Sequence, residues 1–239
     1  MKAISGLPIT AGLLSFLLPA CCRLCGAPVS REPALCGDCQ RELPGTAPAC
    51  WQCGGRLGGP TQTGLCGQCQ RHPPAFTATC AALRYRPPVD YLIQRLKFSG
   101  ELALAPLLAA LLAERLGRRD QPLPGQLIPV PLHRSRLRER GFNQANEIAR
   151  VLGRRLGLPV ERNLCRRTRH TATQSLLPVS ARRHNVRNAF ALDRIPQARH
   201  VAIVDDVMTS GHTVNELAQL LQRAGVETIE VWVVARAGR

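Results

Sequence analysis

Four Cys-x-x-Cys pairs near the start of the chain constrain its fold more than any other feature. Two thiolates separated by two residues can face one tetrahedral metal ion, so four pairs are enough for two four-cysteine sites. A glycine directly follows one cysteine of each pair, and it permits a tight turn whose backbone N–H groups point at the sulfur. The pairs are Cys22/Cys25, Cys36/Cys39, Cys50/Cys53 and Cys66/Cys69.

This pattern predicts two structural Zn²⁺ sites rather than disulfides or an iron–sulfur centre. Disulfides would require export to an oxidising compartment, and regular pairs divided by short polar loops favour zinc. A closed site of four thiolates normally stabilises a fold and is not a catalyst. Sequential pairing is the simplest arrangement, and a cross-braced pairing stays open. Two further cysteines, Cys80 and Cys165, are expected to be small core residues.

The apolar start of the chain does not predict a membrane span. Residues 3–20 contain Pro8, Gly12 and Pro19, and the stretch is short for a bilayer. Its resemblance to a signal peptide is weakened by Pro19 and by the single lysine before it. Because thiolate zinc sites need a reducing compartment, we expect a cytoplasmic protein without membrane insertion, with an apolar helix at residues 1–20.

The pattern beyond residue 76 changes to alternating strands and helices, which predicts an α/β domain with a parallel sheet. Strands are predicted at residues 79–85, 126–130, 161–167, 201–204 and 228–234. Helices are predicted at residues 89–98, 102–116, 143–156 and 213–224, with a loop at 169–178 and a short helix from Ser180. The predicted domains are the N-terminal helix at residues 1–20, a zinc module at 21–72 and the α/β domain at 76–239.

The segment VAIVDDVMTSGHT at residues 201–213 combines a buried strand, two acids and a short polar turn. Open α/β sheets bind ligands at the carboxyl ends of their strands, where Asp205 and Asp206 are expected. The turn at residues 209–213 leads into a helix, so that its backbone N–H groups can converge on a phosphate. The two carboxylates would repel a phosphate, but they suit ribose hydroxyls or a Mg²⁺ ion. The segment therefore predicts a site for a phosphorylated ribose.

This segment resembles the phosphoribosyl pyrophosphate (PRPP) motif of type I phosphoribosyltransferases. The resemblance implies that Asp205 and Asp206 are the catalytic pair that holds the ribose hydroxyls, with Mg²⁺ bound together with PRPP. The implied 5-phosphate ligands are Thr209, Ser210, Gly211, His212 and Thr213. At the same sheet edge, the implied pyrophosphate loop is Pro129, Val130 and Pro131.

Further motifs make the chain resemble the ComF family of competence proteins along nearly its full length. They are the apolar start leading into Cys-x-x-Cys and residues 96–98 (LKF), 128–133 (IPVPLH), 140–144 (RGFNQ) and 173–175 (TQS). Four cysteine pairs fit the double zinc ribbon of many members, and Cys21 is an extra cysteine beside Cys22. Membership implies PRPP and single-stranded DNA as partners, and an association with a DNA-uptake helicase or related competence proteins.

Basic residues are concentrated in the middle of the chain. The formal net charge is +16 at pH 7, and residues 131–200 hold 16 arginines against 4 acids. This surplus favours polyanionic partners such as nucleic acid or a polyphosphorylated small molecule. Guanidinium groups suit such partners because they bind phosphate oxygens in a bidentate manner. The candidates for contacts with pyrophosphate or nucleic acid are Lys97, Arg138, Arg140 and Arg169.

Two functions of different classes fit these features. The first is a phosphoribosyltransferase-like protein that binds PRPP with Mg²⁺ and is linked to DNA uptake through single-stranded DNA. The alternative is an active phosphoribosyltransferase that acts on a small-molecule acceptor in nucleotide metabolism. No residue stands out as a general base, and the sequence does not identify an acceptor.

Overall fold

The structure, a computed structural model, describes residues 20–29, 34–46, 48–59, 62–169 and 188–238. Contacts divide the chain into two units, Met1–Leu43 and Pro44–Arg239. The helix predicted for residues 1–20 lies outside the described residues, apart from Ala20, which belongs to a short strand. The predicted domain boundary between residues 72 and 76 stays a prediction.

The two units contain different sets of elements. The smaller unit holds β1 Ala20–Cys21, β2 Pro28–Val29 and α1 Gly37–Arg41. The first elements of the larger unit are α2 Gly67–Arg71, β3 Ala78–Arg84, α3 Val89–Phe98, α4 Leu104–Leu116, β4 Gln126–Pro129 and α5 Arg134–Arg140. The remaining elements are α6 Gln144–Leu156, β5 Cys165–Arg167, β6 Phe190–Leu192, β7 His200–Met208, α7 His212–Arg223 and β8 Thr228–Arg236.

A four-stranded parallel sheet forms the centre of the larger unit. Its strand order is β3-β8-β7-β4, and every neighbouring pair is parallel. The apolar runs that predict strands near residues 79, 126, 201 and 228 all lie in this sheet. The predicted α/β fold with a parallel sheet is therefore confirmed.

Strand β7 is apolar because both of its faces are covered. Val201 and Ile203 belong to one core cluster together with Leu217 and Leu221 of α7. Ala202, which lies between them, is also fully buried. Successive strand residues point to opposite faces, so the second face is buried as well, and α6 packs against this strand. This packing places the carboxyl end of β7 at an edge of the layered domain.

Some elements differ from the prediction. Helix α5 has the sequence RSRLRER, whose lack of apolar periodicity hides it from pattern analysis. The strand predicted at residues 161–167 is limited to Cys165–Arg167, which pairs antiparallel with β6. The helix predicted from Ser180 and the predicted loop beyond Arg169 lie outside the described residues. No helix in the described ranges is long and apolar enough to cross a membrane.

Candidate functional site

The carboxyl ends of β4 and β7 lie side by side and bring two predicted motifs together. Pro129 is paired with Val204 in the parallel register. The N–H of Val130 donates to the carbonyl of Val204 at 2.9 Å. Asp205 and Asp206 follow Val204 directly. The predicted pyrophosphate loop and the predicted ribose-binding acids therefore occupy one edge of the sheet.

The two acids lie beside a single lysine. Lys97 Nζ is 2.8 Å from Asp206 Oδ2, and Asp206 is 5% exposed. Burial and the charge of Asp206 raise the pKa of Asp205 to about 8, although Lys97 opposes this shift. Burial by itself would lower the pKa of Lys97, but the ion pair with Asp206 outweighs burial and raises that pKa. A carboxyl group held so unfavourably is typical of a functional site.

The turn after β7 has the geometry of an anion site. Gly211 adopts φ 81°, a left-handed conformation that favours glycine, and it directly precedes the first residue of α7. Ser210 Oγ lies 3.1 Å from His212 Nδ1, which closes the turn. The N–H groups and the dipole at the start of α7 attract negative charge. The turn is therefore suited to the phosphate predicted for it.

A cavity of about 440 Å³ opens between these elements. This volume lies within the usual range for small-molecule sites. Its lining joins the residue after β3, α3, the loop after β4, α5, the start of α6, β5, the end of β7 and the turn after β7. The lining residues are Tyr85, Gln94, Lys97, Phe98, Val130, Leu132, His133, Arg136, Arg140, Asn143, Gln144, Arg167, Asp205, Asp206, Val207, Thr209 and Thr213.

Three arginines line this cavity beside Lys97. Arg136 and Arg140 come from α5, and Arg167 comes from β5. Burial lowers the pKa of Arg140 and of Arg167, which shows that both charges are partly withdrawn from water. Such cations gain most from an anionic ligand, because the ligand replaces the water that they have lost.

The four cations predicted from the sequence fall into two groups. Lys97 and Arg140 line the cavity, whereas Arg138 and Arg169 are exposed and lie outside its lining. Sequence analysis did not select Arg167, which ends the predicted strand at residues 161–167. In the sequence, only the run of basic residues around Arg167 pointed to a role in binding anions.

Asn143 and Phe98 also line the cavity, although the sequence motifs that contain them did not predict a role for either residue. Asn143 Nδ2 donates to the carbonyl of Val130 at 3.0 Å, and Asn143 Oδ1 accepts from the N–H of Ala145 at 3.1 Å. Asn143 therefore links the start of α6 to the loop after β4. Phe98 is 73% exposed, and the guanidinium of Arg140 lies 5.4 Å from its ring centre.

The eight paired cysteines form two four-thiol clusters in the sequential arrangement. Within each cluster, all four sulfur atoms lie within 4.8 Å of one another. Sulfur atoms around one tetrahedral zinc ion are separated by roughly 3.8 Å. The separations of Cys25 from Cys36 and of Cys53 from Cys66 are 3.6 and 3.7 Å. The clusters are Cys22, Cys25, Cys36 and Cys39, and Cys50, Cys53, Cys66 and Cys69.

Backbone hydrogen bonds lower the pKa of two of these thiols, whereas contacts between neighbouring thiols, together with burial, raise the pKa of others. Burial opposes the ionisation of Cys22, but hydrogen bonds with the backbone of Cys25, Cys36 and Leu24 lower its pKa to about 6. Burial likewise opposes the ionisation of Cys66, and the backbone of Cys69 together with the neighbouring thiols lowers the pKa to about 7. Thiolates are the form that binds zinc. The two predicted structural zinc sites are confirmed, with sequential rather than cross-braced pairing.

Two of the cysteines outside these clusters, Cys80 and Cys165, have the properties of core residues. None of the eleven cysteines forms a disulfide. Cys165 is buried and Cys80 is half-buried, and burial raises their pKa values to about 12 and about 11. Both are protonated at neutral pH, in agreement with the core role expected for them.

Comparison with known proteins finds two matching domain families. Residues 13–81 match a double zinc ribbon domain, and residues 137–239 match a phosphoribosyl transferase domain. The DNA utilization protein YhgH of Salmonella typhi is 37% identical over 224 residues, which are 92% of this chain and 98% of that protein. Competence protein F of Haemophilus influenzae is 38% identical over 211 residues, 85% and 90% of the two chains. Competence protein ComFC of Streptococcus pneumoniae is 24% identical over 65% of this chain and 67% of its own.

The fold and the two kinds of site define a phosphoribosyltransferase-domain protein that carries a double zinc ribbon. Relatives with more than a third of their residues identical extend over nearly the whole chain. The chain belongs to the ComF family of competence proteins.

Proposed function

We propose that the protein binds PRPP together with Mg²⁺ in the cavity at the carboxyl edge of the sheet. One observation carries this proposal: an acid pair, an anion-binding turn and three arginines surround the same cavity of about 440 Å³. Asp205 and Asp206 accept hydrogen bonds from the ribose hydroxyls. The 5-phosphate lies in the turn at residues 209–213, and the arginines neutralise the pyrophosphate.

The donor set indicates how Mg²⁺ fits this site. Carboxylate oxygens are suitable ligands, but Mg²⁺ prefers six oxygens and is commonly held by one or two carboxylates together with substrate phosphates. Across the described residues, the clusters of three or more metal-binding side chains are the two cysteine sets, so the acid pair is not a complete cage. Asp206 is also neutralised by Lys97. Mg²⁺ would therefore arrive with the pyrophosphate oxygens, where it supplies positive charge.

Titration calorimetry with PRPP and Mg²⁺ tests this proposal. The wild type should bind, and the double variant Asp205→Asn with Asp206→Asn should release no measurable heat. Asp193→Asn is a matched control, because Asp193 is an exposed acid that is paired with Arg166 at 2.6 Å and does not line the cavity. Absence of binding by a correctly folded wild type would refute the proposal.

We further propose that the protein handles single-stranded DNA during competence, in the cytoplasm and together with a helicase or another competence protein. The names of its relatives refer to DNA utilization and competence. The net charge of +16 supports binding to a polyanion. Arg134 and Arg138 of α5 are exposed and lie outside the lining of the cavity, so they are available to a strand that passes over its rim.

Fluorescence anisotropy with a labelled single strand over a range of salt concentrations measures this interaction. Each phosphate contact contributes roughly −0.7 to the slope of log affinity against log salt. Arg134→Gln with Arg138→Gln should flatten the slope by about 1.4 while PRPP binding stays unchanged. Arg115→Gln with Arg223→Gln is a charge-matched control elsewhere on the chain. A flat slope for the wild type would exclude an electrostatic DNA interface.

An active transferase is the second candidate, and Phe98 favours it. Its exposed ring lies at the cavity beside the acid pair and offers a face to a planar acceptor. In this reaction an acceptor nitrogen attacks the anomeric carbon of PRPP, and the C–O bond to pyrophosphate breaks. The enzyme would contribute positioning and electrostatic stabilisation. Pyrophosphate release that depends on one acceptor and falls in Phe98→Ala would establish this activity, and release without acceptor dependence would exclude it.

A further inference from the structure

Arg236 connects the second zinc cluster to the turn after β7. It ends β8 and is paired in register with Met208, the last residue of β7. Its Nε donates to the carbonyl of Cys53 at 2.8 Å. Its Nη1 donates to the carbonyl of Met208 at 3.1 Å and also to the carbonyl of Thr209. One guanidinium therefore bonds to a zinc ligand and to the first residue of the phosphate turn.

The charge of Arg236 has an unusual environment. Arg236 is partly buried, and it lines one pocket together with Cys53, Cys66 and Cys69 of the second zinc cluster. Among the described residues, its hydrogen bonds go to carbonyl oxygens. A zinc ion with four thiolates carries a net charge of about −2, since four negative sulfurs surround one divalent ion. The zinc cluster is therefore the counterion of this partly buried cation.

The carbonyls of Met208 and Thr209 accept hydrogen bonds from Arg236. These two carbonyls must point away from a phosphate that is bound in the turn. An anion site uses the N–H groups of successive peptides, and a carbonyl turned toward the anion would repel it. The carbonyl of Met208 accepts a second hydrogen bond from the N–H of Ala237 at 2.9 Å. Arg236 and Ala237 thus hold the peptides at the start of the turn in one orientation.

We propose that Arg236 is a positioning residue through which the second zinc site keeps the turn at residues 209–213 in its phosphate-binding conformation. This inference rests on the proposed role of that turn in binding the 5-phosphate of PRPP. Loss of zinc removes the counterion of Arg236, frees the carbonyl of Thr209 and weakens binding of the 5-phosphate. The site for pyrophosphate, which is formed by other elements, is not affected.

The substitution Arg236→Gln tests the positioning role. The affinity for ribose 5-phosphate should fall by about tenfold, which is within the usual range of coupling between two sites. The affinity for pyrophosphate should stay within about twofold of the wild type, because the cavity arginines are intact. Arg199→Gln is the matched control, since Arg199 is exposed and paired with Glu227. Unchanged affinity for ribose 5-phosphate, or an equal loss of both affinities, would overturn the proposal.

A double-mutant cycle with Cys53→Ser tests the connection to zinc. If Arg236 and the second zinc act through one path, the double variant should bind ribose 5-phosphate no more weakly than the weaker single variant. Cys25→Ser removes a ligand of the first cluster and should leave this affinity unchanged. Zinc content, measured by atomic absorption, should fall from two per chain to one in either cysteine variant. Additive losses in the cycle would contradict the shared path.

Amide hydrogen exchange separates this inference from the proposed function. If the wild type binds neither PRPP nor ribose 5-phosphate, the proposed ligand is wrong. Hydrogen exchange of the backbone amides in the turn then still tests whether Arg236 and the second zinc site hold the turn in place. Faster exchange at residues 209–213 in both Arg236→Gln and Cys53→Ser, with α6 unchanged, would support it. Unchanged exchange in the turn would overturn it. Faster exchange throughout the larger unit would equally overturn it, because a general loss of stability would then explain the effect.

Discussion

Both ends of the central sheet contain buried acids, but their surroundings shift the pKa values of these acids in opposite directions. At the amino end of β7 and β8, Glu230 is 7% exposed and accepts hydrogen bonds from Arg119 at 2.6 and 2.7 Å. It is also bonded to Trp232 Nε1 at 2.8 Å and lies 3.0 Å from His200 Nε2. Burial would raise the pKa of Glu230, but these partners outweigh burial and lower that pKa.

At the carboxyl end, Asp205 has a second acid as its neighbour and shares one lysine with it. Burial and Asp206 raise the pKa of Asp205 to about 8. The difference shows that burial alone does not set the pKa of a carboxyl group. The number of hydrogen-bond donors and charges around the group also sets it. A buried acid whose oxygens are fully hydrogen-bonded within the protein stabilises the fold, whereas acids with fewer hydrogen bonds are available to a ligand. The proposed functional edge of this sheet is therefore the edge whose acids have fewer donors: the N–H of Asp206 for Asp205, and the N–H of Val207 with Lys97 for Asp206.

Removal of the acid at the stabilising end should have the largest effect. In Glu230→Gln the buried charge of Arg119 is left without its partner, and we expect a loss of about 3–5 kcal/mol in the free energy of unfolding. Denaturant unfolding at pH 7 measures this loss. Glu227→Gln is the control, because Glu227 is exposed in its pair with Arg199 and should contribute less than about 1 kcal/mol. If Glu230→Gln and Glu227→Gln lowered the free energy of unfolding equally, Glu230 would not be a stabilising acid and the two ends of the sheet would not differ in this respect.

Removal of the acid at the functional end should weaken binding while it raises stability. Asp205→Asn should weaken PRPP binding by about 100-fold above pH 8, where Asp205 is ionised, because a hydrogen bond to a charged group contributes about 1.5–3 kcal/mol. The free energy of unfolding at pH 7 should rise by about 3 kcal/mol, since the wild type loses about 1 kcal/mol per pH unit above pH 3.8 and the variant has no carboxyl group at this position. Calorimetry and denaturant unfolding measure the two quantities. A destabilised Asp205→Asn variant would show that this acid also supports the fold.

The two acids should also give opposite pH dependences of stability. The folded pKa of Glu230 lies below its ordinary value of 4.5, so its contribution is present above pH 4.5 and is lost as the pH falls through the folded pKa. The folded pKa of Asp205 lies above its ordinary value of 3.8, so its contribution is present below pH 3.8 and is lost as the pH rises to about 8. Relative to Asp205→Asn, the wild type should lose about 1 kcal/mol per pH unit in this window. Parallel stability curves for wild type and variant would contradict the raised pKa of Asp205.

The smallest effect is expected for His200, which is only one of the partners of Glu230. His200→Ala removes one hydrogen bond at the half-exposed rim and should cost about 1 kcal/mol in the free energy of unfolding. Thermal unfolding at pH 7 measures this cost, and PRPP binding should be unchanged. A loss as large as that of Glu230→Gln would mean that His200, rather than Arg119, is the main partner of the acid.

Much of the fold and part of the site could be predicted from the sequence. The four strands of the sheet are visible as short apolar runs, and most of the long helices as apolar periodicity or a continuous apolar run. The acids and the turn at residues 201–213 follow one another in the chain, so their common location needs no tertiary information. Helix α5 was missed because it contains one apolar residue, Leu137, and its position depends on contacts rather than on periodicity.

The sequence by itself determined the chemistry of this protein: thiolate pairs for zinc, an acid pair beside an anion-binding turn, and a surplus of arginine. Local spacing encodes these features, because each motif is read within a few residues. Only the tertiary structure decided the sequential zinc pairing, the place of Arg167 in the cavity and the partners of the buried charges. Arg119 meets Glu230 across 111 residues, and Arg236 meets Cys53 across 183. Such contacts arise from the packing of the sheet, and no local pattern in the sequence records them.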